Sequence, residues 1–253
     1  GGSWQHANLQ IGGASRPGTL TLNGGTLTAT TLAVNSLGTL TQNGGTLSAG
    51  TMTIAAGQTF TLNGGAATTG ALINNGAVVQ HGTGASFGQI TGTGSLDLFG
   101  AADARSFRQQ SVTIEATGSL ALLAAPVTPT VSTINTLVGN GQLDLADNTL
   151  VVTTTSGNAD STFATLNARV QAGRNGGSWN GATGITSATA HAAYMTNGVE
   201  TQAVALVKNS DLVVPITSLA DVNVLPNNLI MMVTLIGDVD LDGQITSNDY
   251  LRM

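Results

Sequence analysis

Residues 18–34 read GTLTLNGGTLTATTLAV, residues 38–54 read GTLTQNGGTLSAGTMTI, and residues 58–74 read QTFTLNGGAATTGALIN. Asn-Gly-Gly begins at Asn23, Asn43 and Asn63, a constant spacing of twenty residues. Weaker copies follow: GAVVQHG from Gly76, GSLDLFG from Gly94, GSLALL from Gly118 and GQLDLAD from Gly141. A fixed period of this length marks a solenoid, whose units cannot bury an apolar face alone and therefore stack. Within a unit, Leu20 and Leu22 alternate with Thr19 and Thr21, the period of a half-buried strand. Asn and Gly then tolerate the positive φ of a turn. A second strand carries Leu27, and a third carries Leu32 and Val34.

Stacking at constant length places equivalent residues above one another. The predicted inward ladders are Leu20/Leu40/Phe60/Val78, Leu27/Leu47, Leu32/Met52/Leu72/Ile90 and Val34/Ile54. Antiparallel hairpins at each Asn-Gly-Gly, packed as a sandwich, would require no such register. The period therefore predicts an all-β fold, a parallel and right-handed β-solenoid of about seven coils. Two coils read as lengthened, one by residues 99–110 and one with a contribution from 124–129.

Composition agrees. Only 8% of the 253 residues are charged, against roughly a quarter in ordinary domains. A Gly- and Thr-rich chain poor in Lys and Glu forms strands and turns more readily than helices. The longest apolar run, residues 229–236, is far short of the ~20 needed for a membrane helix. Seven basic residues, scattered along the chain, cannot neutralise a phosphate backbone, which excludes nucleic acid as a partner. Cysteine is absent, so there are no disulfides and no thiolate chemistry. The chain opens on Gly-Gly-Ser-Trp and stops at Met253 inside an unfinished motif, so it reads as a fragment.

Three segments are expected: a solenoid over 1–152, a β-rich tract over 153–236, and the start of a metal-binding module over 237–253. In the tract, a helix is predicted over 161–171, capped by Asp160 and ended by Gly173, with Phe163, Leu166 and Val170 on one face. Residues 173–190 read as a loop around Trp179. Strands are expected at 203–208, 212–216 and 229–236.

The strongest local signal for chemistry is GDVDLDGQITSNDY, residues 237–250. Calcium takes six to eight oxygens, and a twelve-residue loop supplies them from positions 1, 3, 5, 7, 9 and 12, with Gly at position 6. Those positions are Asp238, Asp240, Asp242, the carbonyl of Gln244, Thr246 through water, and Asp249, with Gly243 at the turn. Ile245 is the apolar anchor at position 8. Enzyme signals are weak. The first 96 residues hold one charged side chain, Arg16, so no hydrolase or lyase site is expected on the regular coils. Asp97, Asp103, Arg105, Arg108 and Glu115 read as a solvated loop on a lengthened coil, with a catalytic or sugar-binding cleft as the alternative. His6, His81 and His191 share no metal-ligand spacing, and His81 is expected at a coil corner. Packing or capping is expected of Trp4 and Trp179, with sugar stacking as the rival role. The Thr-x-Thr ranks at 19/21, 39/41 and 59/61 resemble ice-binding arrays, but Ala77 and Val79 break them.

GTLTLNGGTL resembles the autotransporter-associated β-strand repeats of exported bacterial passenger proteins, over about residues 8–125. LDLADNTLVV, GRNGGSWNG, VALVK and GDVDLDG, in that order, resemble the C-terminal region of large exported repeat proteins that end in a dockerin-type segment. GDVDLDGQITSNDY is similar to the first half of a type I dockerin, where Asp at position 12 is normal. These resemblances imply a secreted or cell-surface bacterial protein, structural or adhesive and not an enzyme. They also imply Ca²⁺ at the C-terminal loop, and a cohesin-like protein or an extracellular polysaccharide as partner. A dockerin has two such loops, each followed by a helix, and the present chain carries one loop. A carbohydrate-active β-helix enzyme or carbohydrate-binding protein is the rival expectation.

Overall fold

The computed structural model describes residues 2–124 and 129–250. Parallel strands form a β-solenoid of about seven turns. The chain divides into two compact units, residues 1–121 with 136–140, and residues 122–135 with 141–253.

The first unit opens with β1 (Ser3–Ile11), β2 (Gly18–Leu22), β3 (Thr26–Val34), β4 (Gly38–Gln42), β5 (Thr46–Ile54) and β6 (Thr59–Leu62). It continues through β7 (Ala66–Asn74), β8 (Ala77–Gln80), β9 (Ala85–Thr91), β10 (Ser95–Leu98), β11 (Ala101–Ile114) and β12 (Ser119–Leu122). Every pairing fixed by the Asn-Gly-Gly period is parallel. Leu20 lies opposite Leu40, Leu40 opposite Phe60 and Phe60 opposite Val78. Leu32, Met52, Leu72 and Ile90 form a second ladder. Leu40, Phe60, Val78, Met52 and Leu72 are wholly buried. The antiparallel sandwich is thereby excluded. The two strands expected around Leu27 and Leu32 are one continuous strand, β3. Its burial alternation changes phase at Ala29–Thr31, so Leu27 and Leu32 both point inward although five residues separate them.

The turns explain the Asn-Gly-Gly word. Asn63 Nδ2 donates to Asn43 Oδ1, and Asn43 Nδ2 to Asn23 Oδ1, each at 2.8 Å. Gly65 has φ +85°, and a Cβ there would sit 2.3 Å from the carbonyl oxygen of Gly45 in the coil beneath. Only glycine meets both conditions. Where the core row offers Gln instead of Leu, the amide is put to use. Buried Gln42 donates to the carbonyl of Ala66 at 3.0 Å, and buried Gln80 to that of Ala101 at 3.0 Å, tying each coil to the turn above.

The expected lengthening at 99–110 is not found. Thr19 pairs with Thr39, twenty residues on; Ala77 pairs with Ser95, eighteen on; Ser95 pairs with Ser111, sixteen on. The coil shortens, because Ser-Val-Thr-Ile at 111–114 takes the ladder position that the word at Gly118 had suggested. β11 runs through the supposed insertion, pairing first with β9 and then with β10. At its corner Gln109 is buried and accepts from Asn74 Nδ2 at 2.7 Å. Of the second expected lengthening, at 124–129, residues 125–128 lie outside the described residues.

The second unit contains β13 (Val131–Val138) up to residue 135, then β14 (Gln142–Asp144), β15 (Thr149–Val152) and α1 (Ala159–Arg174). There follow β16 (Gly184–Thr186), α2 (Ala188–Asn197), β17 (Gln202–Lys208), β18 (Ser218–Leu219), β19 (Val222–Asn223), β20 (Leu229–Leu235) and α3 (Ser247–Tyr250). β13 and β15 remain parallel, but β20 lies antiparallel to β15 and β17 antiparallel to β20. Val131, Val151, Val222, Val224 and Ile230 make a small core there.

The helix expected at 161–171 exists and is longer. Its N-cap is Asn158, whose Oδ1 accepts from Thr155 N at 2.8 Å; Asp160 is exposed in the first turn and pairs with Lys208. Gly173 does not end the helix but lies inside it, where the Ile185 carbonyl fills the space a Cβ would need; the helix stops at Asn175, φ +44°. The region 173–190 is not one loop. It holds β16 and the start of α2, which Ser187 caps by accepting from Ala190 N. The strand expected at 212–216 is absent; a short 3₁₀ turn, Asn209–Asp211, is followed by a bend at 212–214 and an irregular stretch.

Candidate metal centre

The loop begins where β20 ends. Thr234, the sixth residue of that strand, donates its hydroxyl to Asp238 Oδ2, which fixes the first acid at the mouth of the loop. The same carboxylate accepts from the backbone N–H of Asp242 at 3.2 Å and of Gly243 at 3.0 Å, so the chain folds around it. Gly243 has φ +84°, the left-handed turn that position 6 requires. Asp238 is buried, Asp240 half-buried and Asp242 exposed, and one carboxylate oxygen from each lies within 4.8 Å of the others. No other set of three His, Asp or Glu comes as close among the described residues.

The remaining predicted ligands are arranged differently. Asp249, buried at the start of α3, turns its carboxylate back to accept from Thr246 N at 2.7 Å and Val239 N at 2.9 Å. Thr246 also donates its hydroxyl to Asp249. Gln244 is exposed, and its N–H donates to Asp242 Oδ1 at 2.8 Å. Asp249 and Thr246 thus close the loop, and the three aspartates Asp238, Asp240 and Asp242 supply the converging oxygens. Three carboxylates this close repel one another unless a cation or a proton intervenes.

The Thr246 and Val239 amides hold the Asp249 carboxyl below its ordinary value of 3.8. A folded pKa depressed below the unfolded one stabilises the closed loop fully above the unfolded value and ceases to do so as pH falls through the folded value. The amide resonances of Val239 and Thr246 are therefore expected to titrate together with a midpoint under 3.8. A midpoint at or above that value would show that these bonds do not form in solution.

The other candidates separate. Asp97, Asp103, Arg105 and Arg108 stand on strands β10 and β11, and Glu115 directly follows β11, so the solvated-loop reading is corrected. Asp103 accepts from Ser86 Oγ at 2.7 Å. His81 sits at a coil corner, its ring stacked on Phe99 at 4.5 Å. Trp179 is buried and unavailable for sugar stacking. Its indole N–H donates to Glu200 Oε1 at 2.8 Å, and the same carboxylate receives Arg174 in a two-pronged ion pair, which lowers the Glu200 pKa. Nothing in the sequence signalled this cluster, because its members lie 26 residues apart at most without any regular spacing.

No family model matches the chain, and no curated protein or solved structure matches it. No helix among the described residues is long and apolar enough to cross a membrane.

Proposed function

We propose that this chain is a structural segment of an exported bacterial surface protein, a β-solenoid stalk whose C-terminal loop binds calcium. The convergence of Asp238, Asp240 and Asp242 around the Gly243 turn carries the calcium reading. A flexible loop offering many oxygens suits Ca²⁺ better than Mg²⁺, which demands a small and regular octahedron. The stalk role rests on the register-locked coils, which carry a single charged residue before Asp97 and supply surface and length. The partner would be a cohesin-like protein bound through the calcium loop, or an extracellular polysaccharide along the coils.

Calorimetric titration tests the metal. Calcium is expected to bind with at least tenfold preference over magnesium. Asp240→Asn and Asp242→Ala should each weaken binding by about tenfold or more, and Thr246→Ala by a few-fold. Absence of calcium heat at millimolar ion, or equal heats for the two ions, would mean the three aspartates are a solvated acidic turn.

A further inference from the structure

Asn-Gly pairs recur along this chain, and each carries a latent reaction. The main-chain nitrogen of the glycine can attack the side-chain amide carbon of the asparagine, because no Cβ hinders its approach. A fold restrains the reaction by tying up the asparagine –NH2 and by spending the glycine N–H on another acceptor. Asn43 Nδ2 donates to Asn23 Oδ1, and the Gly44 N–H donates to the Leu22 carbonyl at 3.2 Å. Asn63 Nδ2 donates to Asn43 Oδ1, and the Gly64 N–H to the Gln42 carbonyl at 3.3 Å. Asn197 Nδ2 donates to the Ala193 carbonyl and the Gly198 N–H to the Tyr194 carbonyl, each at 2.8 Å.

Asn75–Gly76 differs on both counts. It makes the whole corner between β7 and β8, whereas the corner between β5 and β6 has four residues, 55–58. Here the spacing first falls from twenty to eighteen, with Thr59 opposite Ala77. In the longer corner the Gln58 N–H closes on the Ala55 carbonyl at 3.0 Å. The shortened corner has no such bond, and the Gly76 N–H meets no acceptor among the described residues. Asn75 is exposed, and its Oδ1 accepts from the Thr93 N–H at 3.2 Å and the Thr93 hydroxyl at 3.5 Å. A main-chain N–H can only donate, so the amide oxygen faces Thr93 and the –NH2 is the untied end. Gly92, φ +113°, admits this approach, since a Cβ there would sit 2.8 Å from Asn75 Oδ1. A Cβ on Gly76 would sit 2.2 Å from the Gln58 carbonyl oxygen, so the corner requires glycine after Asn75.

We infer that Asn75 is a modification site, at which the chain converts its own asparagine to aspartate and isoaspartate. The Gly76 nitrogen bonds to Asn75 Cγ as its proton passes to a solvent base. The Cγ–Nδ2 bond then breaks, and ammonia leaves with a proton taken from water. Between these steps negative charge builds on Oδ1, where the two Thr93 donors already point. Water opens the resulting cyclic imide. Attack at Cγ gives aspartate, and attack at the main-chain carbonyl carbon of Asn75 gives isoaspartate. In sum one water enters, one ammonia departs and nothing is oxidised or reduced. Isoaspartate adds an atom to the main chain of a corner two residues shorter than the one at 55–58. Either product places a carboxylate on coils whose only charged residue before Asp97 is Arg16. The reaction uses none of the calcium loop and does not depend on that reading.

Incubation of the chain in mildly alkaline buffer, which favours loss of the Gly76 proton, tests the proposal. Peptide mapping by tandem mass spectrometry, after digestion in acid, follows each asparagine. In the folded protein Asn75 is expected to convert about tenfold or more faster than Asn43 and Asn63, whose amides must first break two hydrogen bonds. In concentrated urea the three should convert at similar rates, because each is then an Asn-Gly pair and nothing more. Thr93→Val removes one donor from the amide oxygen and should slow Asn75 by a few-fold while leaving Asn43 unchanged. Asn75→Gln should abolish the product in that peptide. Four outcomes would overturn the proposal. They are an Asn75 no faster than Asn43 and Asn63 in the folded protein; the same ranking kept in urea, which would place the difference in local sequence; an unchanged rate in Thr93→Val; and product persisting in Asn75→Gln, which would assign it to Asn74.

Discussion

Leu40→Asp is expected to cost the first unit on the order of 4–5 kcal/mol, while Thr39→Asp, one residue away, costs less than about 0.5 kcal/mol. Leu40 is fully buried, stacked between Leu20 and Phe60 across two strand pairs. A carboxylate there must either stay charged without a partner or take up a proton. No basic side chain is near in sequence, since Arg16 is the only charged residue before Asp97. Thr39 belongs to the alternate set of β4 and is exposed. The contrast isolates facing from sequence neighbourhood. Because solenoid stability is transmitted coil to coil, the loss should appear as earlier melting of the coils around β2, β4 and β6. Urea melts followed by circular dichroism, with amide exchange to locate the opening, would measure it. Equal losses for both substitutions would be incompatible with the inward ladder.

Trp179→Ala is expected to destabilise the second unit by about 3–5 kcal/mol. Trp179 is the largest fully buried side chain, and truncation leaves both a cavity and a carboxylate short of one donor. Glu200 would retain Arg174, whose side chain is 40% exposed, so part of the charge compensation survives. Trp179→Phe keeps much of the volume and loses the indole hydrogen bond, and a cost of about 1–2 kcal/mol is expected. Trp4→Ala should change stability by no more than about 0.5 kcal/mol. A Trp179→Ala protein as stable as the parent in thermal unfolding would show that the cluster with Arg174 and Glu200 does not pack in solution.

The parts legible in the sequence were those governed by repetition. A constant period states register directly, so the stacking of Leu20, Leu40 and Phe60 is readable from the sequence alone. Where the period drifts, the words mislead. Gly118 begins a plausible copy, yet Ser111–Ile114 fills the rung, because a strand needs only the alternation of Val112 and Ile114 and not the Gly-x-Leu spelling. α2 was illegible for a different reason. Its sequence, ATAHAAYMTN, buries only Ala190 and carries no apolar stripe. Of the loop, the acidic spacing was readable, since it is set within a dozen residues. The contributions of Thr234 to Asp238 and of Asp249 to Val239 depend on how the chain enters and leaves the loop, which local spacing does not express.

The equality of the early coils also bears on the gene. Since Thr39 sits over Thr19 and Met52 over Leu32, the blocks 18–37 and 38–57 are interchangeable in register. The two blocks share eleven of their twenty residues, and an exchange in frame between them would add or remove one whole rung, about 4.8 Å of height, with every ladder reconnected. The same event within residues 77–114, where successive rungs are eighteen and then sixteen residues apart, would join strands out of phase. Length variation among natural alleles should therefore fall in whole units near the Asn-Gly-Gly words and spare the segment beyond them.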